Sequence, residues 1–284
     1  MYNFIRINKI NNTMKKIRLT SIGLLTLALT TMTSCKDKET TETTTEATIE
    51  TPAKSEVAIT PIEDSKMFPD AKLSVSKETA TSADADSVTF KINYKVENFE
   101  LTTHTEGHNS EHMANSGQGQ HIHFILDNSP YSALYKPEHE VKLKKGSEHY
   151  LLSFLSRSYH ESLKEKNAFV LERFKINDKG AYEKLAVPTE PMLFYSRPKG
   201  EYKGMDTKAI LLDFFVVNTT LAKDGYKVQV NVNGQDFMLD EWRPYQITGL
   251  PMGENVIKLT LMDGNGNAVS GENTSVERKI TLME

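Results

Sequence analysis

The 284-residue chain is 38% hydrophobic, 8% aromatic and 25% charged, with a formal net charge of −4. That apolar content suffices for one large or two ordinary domains and excludes a wholly disordered or collagen-like chain. Its one cysteine excludes an intramolecular disulfide, a cysteine-only zinc site and an iron–sulfur cluster.

Residues 1–34 carry Arg6, Lys9, Lys15, Lys16 and Arg18 and no acid, and Ile22 to Leu29 form an apolar stretch too short to span a bilayer. The segment reads as a secretory signal peptide, with Met14 a more ordinary start than Met1. It ends in Met32-Thr33-Ser34-Cys35, which resembles the lipobox where bacterial signal peptides are cut and the cysteine is lipidated. Lys36-Asp37-Lys38-Glu39 is similar to the export signal of Bacteroidota surface lipoproteins, with Lys38 interrupting the acids. The resemblance covers about the first forty residues. It implies lipidation at Cys35 and a lipid anchor in the cell outer membrane, facing either the surface or the periplasm.

Without the signal the charge becomes −9, so nucleic acid is not an expected partner. Residues 35–70 are rich in Thr, Glu and Lys without apolar periodicity and read as a disordered tether.

The body reads as strands. Val88 to Val96 alternates strictly between apolar and polar, the period of a half-buried strand. Further strands are expected at 121–126, 140–143, 148–155, 169–176, 211–218, 227–233, 236–240, 245–249, 255–262 and 275–282, with turn residues between them. Many short strands argue an all-β fold of the Ig-like sandwich type.

An internal repeat divides the body in two. Val96-Glu97-Asn98 is echoed by Val216-Val217-Asn218, Ile122, Phe124 and Leu126 by Val228, Val230 and Val232, Gly146 by Gly253, and Glu172-Arg173 by Glu277-Arg278. The expected organisation is one Ig-like domain over 71–178, a connector over 179–206 and a second Ig-like domain over 207–284. Tyr195-Ser196-Arg197-Pro198-Lys199-Gly200 reads as ordinary ordered connector.

Against its repeat, the first domain carries an insertion at 102–120, and all eight histidines fall between 104 and 160. Matching β-strand faces places His121 and His123 outward. The same matching puts Tyr150, Leu152 and Phe154 in the core and His149, Leu151 and Leu155 outside, with the insertion covering that face. His-x-His on one strand face lets two imidazoles converge on a metal ion. Further ligands are expected from His149, His160, His104, His108 or His112, and the imidazole set suits zinc or copper. A blue-copper centre is excluded because Cys35 is committed to lipid. The pattern is faintly similar to the cupin metal motif, with Asp127 four residues after His123, but the motif's Glu and flanking glycines are absent. His104, His108 and His112 recur every four residues, yet Gly107 opposes a helix. His139 reads as a turn residue, and Trp242 as an edge aromatic under a turn.

Three functions stay open. The first is a binding lipoprotein that holds a transition metal, or a small ligand through it. The second is a protein- or glycan-recognition module with no metal. The third is a metal-dependent hydrolase or oxidase with Glu161 or Asp127 as general base.

Overall fold

The computed structural model describes residues 56–284; the signal, the lipobox with Cys35 and the tether up to residue 55 lie outside the described residues. The rest forms two tandem Ig-like β-sandwiches. In the first, β2 (Lys72–Ala83), β3 (Ser87–Glu97) and β6 (Glu138–Lys144) make a three-stranded sheet. It faces a five-stranded sheet of β5 (Ser132–Leu134), β4 (His121–Leu126), β7 (Ser147–Ser156), β8 (Phe169–Ile176) and β9 (Tyr182–Leu185), in that order.

The second sandwich sets β1 (Ala58–Pro61), β15 (Tyr245–Thr248), β12 (Ile210–Val217) and β10 (Met192–Arg197) against β11 (Gly200–Lys203), β17 (Ser275–Met283), β16 (Gly253–Met262), β13 (Lys227–Val232) and β14 (Gln235–Leu239). Only β11 with β17 pairs parallel among these neighbours.

Alternation builds both cores. Val88, Phe90, Ile92 and Tyr94 of β3 meet Ile122 and Phe124 of β4, while Val228, Val230 and Val232 of β13 meet Ile257, Leu259 and Leu261 of β16. The repeated asparagines behave alike. Asn98 and Asn218 both adopt positive φ (55° and 58°) where their strands end, and each amide donates to an earlier carbonyl: Asn98 to Asp70, Asn218 to Pro188 and Glu190. Asparagine tolerates this left-handed turn and supplies the donor that fixes it.

Three expectations are corrected. The tether does not extend to residue 70: Ala58–Pro61 is a strand on β15, and Ile62 is buried with Met113, Tyr159 and Leu211. A four-residue strand with no apolar alternation does not stand out from a Thr/Glu-rich background. Nor is 179–206 a connector, because β9 closes the first sandwich and β10 and β11 belong to the second. Leu193 and Tyr195 are wholly buried there.

The third correction is the register of β7. Ile122 pairs with Leu155 and Leu126 with Leu151, so Leu151 and Leu155 enter the first core. Tyr150, Leu152 and Phe154 face the other way. The second sandwich, not the insertion, covers that face: Met192, Phe194, Phe215 and Val217 pack on Ile125, Tyr150, Leu152 and Phe154 in one apolar cluster.

Candidate metal centre

His121 and His123 alternate with core residues on β4, so their rings project from the outer face of the five-stranded sheet, where both are completely buried. His160 arrives from the turn after β7. That turn is closed by the His160 N–H donating to the Arg157 carbonyl (2.9 Å), and His160 itself takes positive φ (69°). The three residues bring ligand atoms within 4.8 Å of one another. His121 Nε2 lies 2.9 Å from His123 Nε2 and 3.1 Å from His160 Nδ1. Nitrogens bound at 2.0–2.1 Å to a tetrahedral ion stand roughly 3.3 Å apart, close to both of these separations from His121.

The surrounding bonds fix the protons. His121 Nδ1 donates to the Gly119 carbonyl at 2.8 Å; a carbonyl only accepts, so the lone pair of neutral His121 is on Nε2, aimed inward. His123 Nδ1 lies 3.1 Å from the Ser196 hydroxyl. The His121 lone pair thus faces two imidazole nitrogens, and it can serve one proton donor. A metal ion would instead accept a lone pair from each ring, with the Gly119 carbonyl and Ser196 hydroxyl placed to orient two of them from behind.

Burial holds the imidazoles neutral, the state that ligates. It pushes His121 down to about 4 from the ordinary 6.5, and His123 and His160 well below that ordinary value, with Arg197 and Lys199 adding to the effect on all three. Tyr131 stacks on His123 at 3.5 Å between ring centres, and its hydroxyl lies 3.1 Å from His160 Nδ1.

The insertion builds the wall of the site. Thr105 and Ser158 exchange hydrogen bonds, Thr105 N to Ser158 Oγ (3.0 Å) and Ser158 N to Thr105 Oγ1 (3.1 Å), and Thr105 Oγ1 donates to Gln120. Gly119 has φ +81°, and an added Cβ would strike the Thr102 carbonyl and meet that of Thr103 at 2.8 Å. Only glycine permits the approach that presents its carbonyl to His121.

The other candidate residues lie elsewhere. His104, His108 and His112 are exposed. Despite Gly107, His108–His112 form one helical turn, α1, with the two rings 4.2 Å apart. His149 sits at the opposite end of β4, where its Nδ1 pairs with Asp127 Oδ2 at 2.7 Å and its ring packs on Phe174. His139 is on β6 opposite Ile92, with its ring against Phe124, and not in a turn. The two proposed bases are engaged: Asp127 by His149 and the Tyr150 N–H, Glu161 by Arg157 (2.9 Å) and Ser65 (2.7 Å). Trp242 packs edge-on to Phe215 and donates to the Phe214 carbonyl.

Gly119, Tyr131, Ser196, Arg197 and Lys199 were not singled out as site residues in the sequence. The available signal was the run Tyr195 to Gly200, in which Ser196 and Arg197 belong to strand β10 and Lys199 follows it.

The fold and the cluster together define the chain as a tandem Ig-like β-sandwich protein with three convergent imidazoles, two of them buried, at the contact between its sandwiches. No family profile and no curated protein sequence matches it. Among solved structures it is similar to a fibronectin(III)-like module structure of Clostridium thermocellum CbhA, at 16% identity and a TM-score of 0.26 over 32% of this chain and 97% of that one. The central fibronectin-III array of RIM-binding protein gives 10% identity and 0.23 over 76% and 69%. The two tandem V-type regions of VCBP3 give 9% and 0.24 over 75% and 99%.

Proposed function

We propose that this protein is a lipid-anchored envelope binding module whose first Ig-like domain holds one transition-metal ion, zinc or copper, on His121, His123 and His160. The observation that carries the reading is the convergence of three neutral imidazoles, two buried and one half-buried, with the lone pair of His121 turned inward by the Gly119 carbonyl. The membrane anchor rests on the lipobox resemblance at Cys35.

A second reading, recognition of a protein or glycan without metal, is favoured by a groove of about 590 Å³ between the sandwiches, lined by Ile62, Arg157, Glu161, Lys164, Trp242 and Arg243 among others.

Elemental analysis after exposure to zinc or copper and dialysis tests the first reading. The parent protein and His149→Ala are expected to retain about one ion per chain, and His121→Ala/His123→Ala and His160→Ala much less. No retained metal in the parent would overturn the metal reading and leave recognition through the groove.

A further inference from the structure

Histidines at positions i and i+4 of a helix share one face, and their imidazoles can close on one metal ion. α1 sets this spacing: His108 and His112 are both exposed, with ring centres 4.2 Å apart. A single helical turn is marginal by itself, but this one is pinned. Met113 at its end is buried with Ile62 and Tyr159, and its N–H donates to the Asn109 carbonyl at 3.2 Å. Asn109, only 9% exposed, donates through its side chain to the Glu63 carbonyl at 2.9 Å and the Ser65 hydroxyl at 3.3 Å. The backbone that spaces the two rings is therefore held by tertiary contacts and not by helix propensity. The same contacts close a hollow of about 200 Å³ between α1 and residues 61–64, lined by His108, His112, Glu63 and Asp64 among others. Two carboxylates and no lysine or arginine line it, a balance that suits a cation. Glu63 is paired with Arg243 at 2.7 Å. The Asp64 carboxylate makes no hydrogen bond or ion pair among the described residues.

We propose that His108, His112 and Asp64 form a second metal site, exposed and exchangeable, for a divalent ion of the zinc or copper(II) class, with water completing the coordination. The site shares no ligand with the three-imidazole centre and does not depend on it. Its side chains are exposed and lose rotamer freedom when they close on the ion, so the ion is held less firmly than one in an enclosed centre and is removed by dialysis.

The test is calorimetric titration of zinc into the whole protein. His121→Ala/His123→Ala, whose buried centre lacks two ligands, is expected still to bind one zinc per chain. Adding His108→Ala or His112→Ala should weaken that binding roughly tenfold or more, and adding Asp64→Asn should weaken it by a smaller factor. Adding His104→Ala, which is exposed and outside the hollow, should leave it unchanged. No zinc binding in His121→Ala/His123→Ala, or binding of equal affinity without His108 and His112, would overturn the site. Equal affinity in the Asp64→Asn variant would overturn its ligand set. Failure of the buried centre is read separately, as a parent that binds no more zinc than His121→Ala/His123→Ala. If that double variant does not fold, the same additions to the parent decide the matter, read on the zinc taken up beyond the ion retained through dialysis.

Discussion

Burial of His121 ties the chemistry of the site to the stability of the fold. With the folded value near 4 and the ordinary value at 6.5, the unfolded chain binds a proton between those limits that the folded chain does not. Stability of the metal-free protein therefore falls as pH falls through that window and is regained as pH rises. His121 alone is worth about 2 kcal/mol between pH 7 and pH 4.5. Denaturant unfolding at the two pH values should show His121→Gln losing less than the parent by about that amount; equal losses would contradict the neutral, buried imidazole. The spacing of His121 and His123 on one strand was legible in the sequence. His160 was legible only as one of five further candidates. It stands 39 residues from His121 along the chain, and its place depends on a left-handed backbone that no periodicity announces.

At the scale of elements, β7 shows how a repeat can mislead by one residue. Gly146 and Gly253 mark equivalent turns, yet core-facing Leu151 lies five residues after the first and core-facing Ile257 four after the second. A slip of one residue exchanges the faces of a strand, which inverted the reading of Leu151, Leu152, Phe154 and Leu155. Val228 pairs with Leu261 as Ile122 pairs with Leu155, so the paired strands, not the glycines, carry the repeat. Residues 150–157 are all buried because both faces are covered, so no alternation was present to correct the error. A double-mutant cycle tests the register. Ile125→Ala and Leu152→Ala, directly paired in the interface cluster, should couple by about 0.5 kcal/mol or more. Ile125→Ala and Leu151→Ala, on opposite faces, should add to within about 0.3–0.5 kcal/mol. The reverse pattern would restore the register expected from the repeat.

For the whole molecule, the joint between the sandwiches matters more than either sandwich alone. It places Ser196, Arg197 and Lys199 of the second beside the histidines of the first, and Arg278 locks the contact by donating to the Ser196, Asn128 and Ser129 carbonyls. The sandwich class was legible from alternating strands such as Val88 to Val96. The joint was not, because residues 192–198 are all buried and Ala58–Pro61 reaches β15 across most of the chain. Limited proteolysis is accordingly expected to leave 56–284 in one piece; early cleavage within 179–206 would contradict a packed interface.

The central claim is that His121, His123 and His160 bind one ion together. Pulsed electron paramagnetic resonance on the copper(II)-loaded protein counts coordinated imidazoles directly. Three are expected in the parent, two in His160→Ala where copper is retained, and three in His149→Ala. A signal from one imidazole, or one unchanged by His160→Ala, would contradict the claim.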